Sequence, residues 1–260
     1  MFNNKDPEKL INEWLADVDS FALPSDNDIP SREYENKLIA WLDVLGMSKK
    51  ILDSGESNTG AEEILTNIGK LRNCVESSCL YMIKQNKLDY IQLNDGFIIV
   101  SELEYIDELC EIICEIQWKI LIDIKLLIRG AVTAGQIIVS SDLKIIIGPA
   151  FINALKMENE VAIFPRILFS EKIYQYIKKE DIEFPYIKED IDHLKYLDYL
   201  KYEYDLEDNY INFDNKLKVF GIKKLLKKYY TDNIMENNNI AQKYGWVIKK
   251  LSDLKIKIIQ

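Results

Sequence analysis

Two aspartates, one in an apolar run and one in a predicted turn, are the residues that best fit a chemical role. Asp43 interrupts the run WLDVLG (41–46), and Asp95 belongs to the turn sequence Asn94-Asp95-Gly96. Burying an unpaired carboxylate is costly, so Asp43 must be paired, lie at a strand end or face a cation. Taken alone, Asp95 is explained by turn formation, as Asx-Gly turns usually are.

If the two carboxylates meet at one sheet edge, they offer a site for a divalent cation. Two carboxylates plus the backbone carbonyl after one of them form a hard oxygen site suited to Mg²⁺ or Mn²⁺, which phosphate oxygens can complete. Such a site activates a hydroxyl nucleophile and stabilises a leaving phosphate.

Other common catalytic arrangements are missing from the sequence. It contains no Walker phosphate loop, no GxGxxG motif and no GxSxG motif. The one histidine, His193, makes a Ser-His or Cys-His pair hard to assemble, and we interpret it as structural. The four cysteines are too few for a disulfide framework and, with one imidazole, a zinc site is not favoured. Two of them, Cys110 and Cys114, are predicted to be half-buried thiols on a helix.

The pattern of strands and helices predicts how the aspartates are positioned. KLIAWLDVLG (37–46) is predicted as a strand that ends at a glycine, and two helices follow it. The β-prone runs on either side of Asn94-Asp95-Gly96 predict a hairpin. A helix over about 104–124 precedes a second hairpin over 126–147, and Pro149 begins a helix before a further strand.

Hairpins that alternate with helices predict an α+β fold rather than a doubly wound parallel fold. We expect a mixed, largely antiparallel sheet of two hairpins and flanking strands, covered by helices. Residues 1–32 are predicted to form an N-terminal helix and linker, and residues 33–172 the core domain. Residues 173–260 are predicted to form an aromatic and lysine-rich extension with two helices.

Composition predicts an ordered, cytoplasmic protein. The chain has 260 residues, 48% of them hydrophobic, without an apolar run of the roughly 18 residues that a membrane helix needs. Its net charge of −10 argues against nucleic acid as a partner. Residues 216–260 nevertheless hold eleven lysines against three acidic residues. A solvated helix face or docking on the acidic body is favoured there over contact with a phosphate-bearing ligand or a membrane.

Four segments of the sequence carry a family resemblance: IAWLDVLGMSKKI (39–51), IQLNDGFIIVSE (91–102), residues 127–167 and KYGWV (243–247). They resemble the class III nucleotidyl cyclase superfamily and, within it, the bacterial pyrimidine cyclases of the Pycsar anti-phage systems. The third segment is the most specific, because an RGG-like strand start is followed by GPA (148–150) and PRI (165–167). The resemblance implies that residues 33–172 are a cyclase core.

The resemblance assigns the two aspartates to metal binding. Asp43 and Asp95 match the superfamily's metal-binding aspartates, which implies two Mg²⁺ or Mn²⁺ ions per site. The backbone of Val44, Leu45 and Gly46 matches the loop that holds the metal and the triphosphate. Val44 is accordingly a candidate metal ligand, and Leu45 and Gly46 are candidate nucleotide-binding residues.

Gln92 is the candidate for reading the base. It lies three residues before Asp95, where purine-specific members of the superfamily place a base-reading side chain. An amide both donates and accepts hydrogen bonds, so Gln92 can pair with a uracil or a cytosine edge. A solvent-facing position on a strand explains the same residue equally well.

At the position of the cation that stabilises the transition state, this sequence differs from the superfamily's pattern. The arginine expected eight residues after Gly148 is replaced by Lys156. Because phosphoryl transfer needs a cation on the developing charge, Arg129 and Lys156 are the candidate catalytic residues, with Arg166 as a further possibility. Both arginines can instead be structural, by pairing with Glu158 or by capping strands.

The resemblance implies a head-to-tail homodimer in which both protomers build each active site. It further implies conversion of UTP or CTP to 3′,5′-cyclic UMP or cyclic CMP and pyrophosphate. The product would be a second messenger in anti-phage defence, acting on a separate effector protein that is not bound directly. Two alternatives stay open: an adenylate or guanylate cyclase, and a catalytically silent nucleotide-binding module with the same fold.

Overall fold

The structure is a computed structural model that describes residues 33–55, 58–140, 145–206, 213–235 and 237–254. Residues 34–260 form one compact unit. The predicted N-terminal helix over 1–32 lies outside the described residues. No helix in the described ranges combines the length and the apolar character needed to cross a membrane.

Within the described residues, eight strands form a mixed sheet. They are β1 (Glu35–Val44), β2 (Leu88–Leu93), β3 (Gly96–Ser101), β4 (Ile128–Ser140), β5 (Ile145–Ile147), β6 (Ile167–Phe169), β7 (Ile187–Glu189) and β8 (Lys195–Leu197). The spatial order is β2-β3-β1-β4-β6-β8-β7, and β5 pairs with the far end of β4. Only the β4–β6 pair is parallel among the described pairs, which confirms the predicted α+β fold with a largely antiparallel sheet.

The helices follow the predicted order. They are α1 (Met47–Ser54), α2 (Asn58–Lys84), α3 (Ile106–Lys119), α4 (Pro149–Glu160), α5 (Glu171–Lys179), α6 (Tyr199–Leu206), α7 (Phe213–Asn233) and α8 (Asn238–Asp253). A π-helical turn, Ile120–Ile124, continues α3, so this helical segment ends where the sequence predicts. Proline at the first position of α4 needs no backbone donor there, which agrees with the predicted start.

Side chains alternate between two unequal faces of the sheet. On β1, Leu38, Ala40 and Leu42 are fully buried in the main core, against α2 and α3. Ile39, on the other face, belongs to a smaller cluster that includes Ala150 of α4. The helix α4 therefore lies on the face toward which Asp43 is directed, since Asp43 is an odd-numbered residue of β1 like Ile39.

Residues beyond 172 pack into the core. The strands β7 and β8 extend the sheet, and α7 and α8 bury side chains such as Leu226 and Val247 in the main cluster. Cys110 and Cys114, which the sequence predicts to be half-buried, are completely buried on α3 because that helix is apolar toward both α2 and α6. Burial raises the pKa of both thiols well above the usual range.

Candidate functional site

Asp43 and Asp95 lie at the same end of the sheet, the edge at which β1 ends and β2 turns into β3. Leu42 of β1 is paired with Phe97 of β3, so the end of β1 adjoins the turn between β2 and β3. Burial raises the pKa of the Asp95 carboxyl, and the negative charge of Asp43 raises it further. The two carboxylates are thus close enough to repel each other, as expected for two groups that share one site.

The β2–β3 turn consists of two residues and is fixed by its neighbours. Asn94 has φ 53° and supplies the left-handed residue of the turn. Gly96 already belongs to β3, and its lack of a side chain has a packing reason. A Cβ at this position would lie 2.4 Å from Cη2 of Trp41. The indole of Trp41 therefore packs against the start of β3, directly after Asp95.

The loop after Asp43 leads directly into a helix. Gly46 has φ +82°, a conformation that glycine adopts without strain, and a Cβ placed there would meet no atom within 4 Å. The amide of Leu45 donates to the carbonyl oxygen of Leu127 at 2.8 Å, which holds the loop against the start of β4. Among the described side chains none caps the N-terminus of α1, so its first amides are available to an anion.

Arg129 bridges two carboxylates at this edge. It stands directly opposite Asp43 in the β1–β4 pairing. Its Nε lies 3.3 Å from Oδ2 of Asp43, its Nη2 forms an ion pair with Glu158, and its Nη1 donates to the carbonyl oxygen of Ala162 at 3.3 Å. Arg129 is therefore positioned beside Asp43 by groups on β1, on α4 and after α4.

Glu158 is the buried partner that holds Arg129. Only 3% of its surface is exposed, and the indole Nε1 of Trp41 donates to its Oε2 at 3.4 Å. Burial raises the pKa of Glu158 and the charge of Asp43 adds to this effect, while the Arg129 cation opposes both. The sequence-based alternative for Glu158, an intramolecular salt bridge, is the arrangement that the structure shows.

Lys156 lies away from this cluster within a single protomer. It is exposed, whereas Ala150, Ala154 and Glu158 form the buried stripe of α4. Two residues on an α-helix correspond to about 200° of rotation, so Lys156 and Glu158 point in nearly opposite directions. Any contact of Lys156 with Asp43 requires a second copy of the chain.

Gln92 belongs to the opposite face of the sheet from Asp43. On β2 it lies on the same face as Leu88 and Tyr90, which pack against the main core, and it is paired with Phe97 of that core. Its amide Nε2 donates to the carbonyl oxygen of Asn94 at 3.0 Å. A base that lies on the Asp43 face of the same protomer is therefore out of its direct reach.

Arg166 is part of the core. Its surface is fully buried, and its guanidinium binds Asp190 at 2.6 Å and pairs with Asp192. The indole of Trp246 on α8 donates to the same Asp190 at 2.7 Å. Burial alone would raise the pKa of Asp190. The hydrogen bond from Trp246, the Ile191 amide and nearby cations outweigh burial and hold this pKa below its usual range. This network attaches α8 to the sheet, so Arg166 is structural.

Lys243 of α8 is a residue near the site that the sequence did not single out. It is half-buried, and burial together with the Arg129 cation lowers its pKa, while Asp43 and Glu158 act in the opposite direction. The available signal is its position in KYGWV and in the lysine excess of residues 216–260, for which the sequence favours a solvated helix face or docking on the acidic body.

Besides Glu158, which is paired with Arg129, this edge offers the carboxylates of Asp43 and Asp95, and other ligands would have to complete a metal shell. Within the described residues no group of three or more His, Cys, Asp and Glu side chains is clustered. Arg129 contacts Oδ2 of Asp43 at 3.3 Å, so a bound cation would have to share this carboxylate with the arginine. Backbone oxygens of the loop after Asp43 and the oxygens of a bound phosphate are the hard ligands at hand.

No protein-family model matches the sequence, and no curated protein matches it. Similar solved structures include a guanylyl cyclase domain from the fungus Blastocladiella emersonii, with TM-score 0.44 and 18% identity, over 57% of this chain and 86% of that one. The adenylyl cyclase CyaB from P. aeruginosa has TM-score 0.44 and 15% identity, over 64% and 93%. A bacterial light-regulated adenylyl cyclase has TM-score 0.48 and 11% identity, over 75% and 65%.

Proposed function

We propose that the protein is a metal-dependent nucleotidyl cyclase that converts UTP or CTP to the 3′,5′-cyclic monophosphate and pyrophosphate. The observation that carries the proposal is the meeting of Asp43 and Asp95 at one sheet edge, directly before an uncapped helix N-terminus. Carboxylates for a cation beside amides for a phosphate are the two parts that phosphoryl transfer needs.

The residues fit two Mg²⁺ or Mn²⁺ ions. The raised pKa of Asp95 reflects, after burial, repulsion by Asp43, which a divalent cation between the two groups would relieve. Bound there, the ions would lower the pKa of the ribose 3′-hydroxyl and neutralise charge on the phosphates. The carboxylates of Asp43 and Asp95 and the carbonyl of Val44 would hold them.

The chain's own cations and amides do the rest of the work. Leu45, Gly46 and the first turn of α1 would receive the triphosphate, and the open space at Gly46 allows close approach of a phosphate. Arg129 would stabilise the charge that develops at the α-phosphorus, because Glu158 and Asp43 hold its guanidinium at the edge.

A head-to-tail homodimer would complete the site. Lys156 is exposed on α4 one turn after Ile152, whose side chain is also exposed although it is apolar. Ile147 on β5 and Ile163 after α4 are further exposed apolar side chains. A second copy on this face would cover these side chains and bring its Lys156 toward the first protomer's Asp43.

Pyrimidine selectivity rests on the resemblance of residues 127–167 to the Pycsar cyclases. Gln92 in the same protomer faces away from Asp43, so its role as the base reader requires that the base approach around the hairpin or that the partner supply it. The variant Gln92→Ala tests this: a base reader would change the ratio of UTP to CTP turnover, whereas a strand residue would leave the ratio unchanged.

Turnover of the four nucleotides tests the proposal. Purified protein is incubated with labelled ATP, GTP, UTP or CTP and Mn²⁺, and the products are separated by chromatography. We expect cyclic UMP or cyclic CMP with an equal amount of pyrophosphate. Cyclisation of ATP or GTP alone would retain a cyclase and reject the pyrimidine assignment.

The ion pairs of Arg129 favour one competing function, a catalytically silent nucleotide-binding module. Two carboxylates already neutralise this cation, and Lys156 is directed away from Asp43 in the protomer. Binding of a nucleoside triphosphate without release of pyrophosphate, measured on the same samples, would establish this alternative.

The cellular role follows from the product. A cytoplasmic cyclase of this kind would signal phage infection to a separate effector protein through the cyclic nucleotide, with no direct contact between the two proteins. Cells that express the chain with a candidate effector should lose phage protection when Asp43→Asn removes the messenger, and added cyclic nucleotide should activate the isolated effector.

A further inference from the structure

A cavity of about 440 Å³ lies beside the loop that follows Asp43. The loop and α1 contribute Gly46 and Lys50, and the segment before β4 contributes Lys125 and two leucines. The C-terminal helices α7 and α8 form another wall, to which Lys243 and Tyr244 belong. Because three separate parts of the chain meet here, the cavity exists only when α7 and α8 are docked.

The described lining of this cavity is positively charged. It contains three lysines, Lys50, Lys125 and Lys243, and no carboxylate. Lys50 and Lys125 are exposed, so water solvates them, but Lys243 is half-buried. Converging cations without a lining carboxylate favour an anionic ligand over a cationic one.

Lys243 differs from an ordinary surface lysine. Within the described residues it makes no ion pair. Burial and the neighbouring Arg129 disfavour its charge, and the carboxylates of Asp43 and Glu158 offset this only in part, so that its pKa is lowered. Lys250, on the same helix, is matched by Asp190 at 3.3 Å. A partly buried cation that is left unmatched beside another cation is stabilised when an anion binds.

The backbone around the cavity also favours an anionic ligand. The N-terminus of α1 carries no side-chain cap, and Gly46 at its start leaves the approach open. Amides of a first helical turn and lysine side chains are both donors that phosphate groups accept. The leucines before β4 and the rings of Tyr229 and Tyr244, whose centroids lie 5.2 Å apart, add an apolar side to the cavity.

We infer that this cavity binds a polyphosphate chain, with Lys50, Lys125 and Lys243 as its cations and α8 as a part of the site. The inference rests on the proposed function only for the origin of the chain, which is either the triphosphate of the substrate or a separate phosphorylated molecule. The C-terminal helices then contribute directly to ligand binding, and the lysine excess of residues 216–260 has a chemical purpose at Lys243.

Binding of inorganic pyrophosphate to the full chain tests the inference. Calorimetric titrations compare the wild type with Lys243→Gln and with Lys249→Gln, an exposed lysine on the same helix that does not line the cavity. We expect Lys243→Gln to weaken binding by roughly tenfold or more, since a charge-assisted hydrogen bond is lost. Lys249→Gln should bind like the wild type. Equal affinity of Lys243→Gln and the wild type would overturn the inference.

Two further sets of measurements distinguish the two sources of the polyphosphate chain and control for misfolding. Thermal unfolding of Lys243→Gln should match that of the wild type, and Lys50→Gln and Lys125→Gln should each weaken pyrophosphate independently of Lys243. In the variant Asp43→Asn, UTP should displace pyrophosphate if the substrate's own phosphates occupy the cavity. Simultaneous binding of both would assign the cavity to a separate phosphorylated molecule.

Polyphosphate binding and cyclase activity can each fail without the other. Pyrophosphate binding through Lys243 without any cyclisation would retain this inference and reject the enzyme. Cyclisation by the wild type with pyrophosphate binding that is indifferent to all three lysines would do the reverse.

Discussion

At the residue scale, the charges at the sheet edge are arranged in a chain of contacts. Trp41 binds Glu158, Glu158 binds Arg129, and Arg129 reaches Asp43. The most buried member, Glu158, stabilises the cation beside the candidate metal ligand. Arg129 is therefore part of a structural network, and its proposed catalytic role must be separated from that by experiment.

A double-mutant cycle on Arg129 and Glu158 makes that separation. Arg129→Gln leaves Glu158 buried without its cation, so we expect the free energy of unfolding to fall by about 2–3 kcal/mol. Glu158→Gln added to Arg129→Gln should recover most of this loss, because neither charge is then buried alone. Denaturant unfolding measures the stability of each variant.

Activity of the same variants tells the two roles apart. If Arg129 stabilises the transition state, the double variant stays inactive although its stability has returned. Recovery of turnover together with stability would show that Arg129 is only structural.

Some of the residues at this site can be identified from the sequence, and others only from the structure. Asp43 could be found from the sequence, because an aspartate in an apolar strand is a local signal. Asp95 alone indicated only a turn, and it became a candidate through its expected meeting with Asp43 and through the family resemblance. Lys243 could not be found from the sequence, since its approach to Asp43 depends on how α8 docks, some 200 residues further along the chain. The side of the sheet to which Gln92 belongs depended on the register of β2, which the sequence pattern left open.

At the element scale, small residues and buried networks fix the strands and helices that hold the site. Gly96 makes room for the indole of Trp41, and Asp190 joins Arg166 of the core to Trp246 of α8. Hairpins, helix starts and strand order followed from local patterns, whereas these cross-chain contacts did not. A turn signal explained Gly96 in the sequence, but the structure shows that Asn94 makes the turn and that Gly96 serves packing.

Substitution of Gly96 tests the packing role. Gly96→Ala should lower the free energy of unfolding by about 1–3 kcal/mol, because the new methyl group displaces a ring that Glu158 also holds. Gly69→Ala on α2 is the matched control, since a Cβ there meets no atom within 4 Å. That control should gain about 0.5–1 kcal/mol from the higher helix propensity of alanine. Equal effects of the two substitutions in chemical denaturation would contradict this account.

Asp190→Asn tests the attachment of α8. Removing the charge weakens the contacts with Arg166, Trp246 and Lys250, so we expect a loss of about 2–3 kcal/mol. Asp192→Asn should cost less, because that carboxylate is 36% exposed. Since the folded state holds the pKa of Asp190 below its ordinary value of 3.8, its contribution is present above that pH and disappears as the pH falls further. Acid unfolding of Asp190→Asn should accordingly show a weaker pH dependence than that of the wild type.

At the scale of the whole molecule, the single chain holds both candidate metal ligands but directs Lys156 outward. The predicted core and the predicted extension act together, because strands beyond residue 172 continue the sheet and α8 closes the cavity beside the site. The sequence pattern predicted two lysine-rich helices in the extension. It predicted neither α5, α6, β7 and β8 nor this integration, which depends on long-range packing. Assembly into a dimer remains the step that would join Lys156 to Asp43.

Mixing inactive variants tests whether two protomers share a site. Asp43→Asn and Lys156→Gln, each inactive alone, should recover up to about a quarter of the wild-type activity when mixed, since half of the dimers then contain one intact site. Asp43→Asn mixed with Asp95→Asn is the control and should stay inactive, because both aspartates come from the same protomer. Recovery in the control, or none in the test mixture, would contradict the shared site.

The central claim is that Asp43 and Asp95 form one metal site for nucleotide cyclisation. The most direct measurement is cyclic nucleotide formation from UTP and CTP with Mn²⁺ by the wild type, Asp43→Asn and Asp95→Asn, with Glu63→Gln as an exposed carboxylate control on α2. We predict that each aspartate variant loses turnover by roughly 100-fold or more while Glu63→Gln retains it. Undiminished cyclic nucleotide formation by either aspartate variant would contradict the claim.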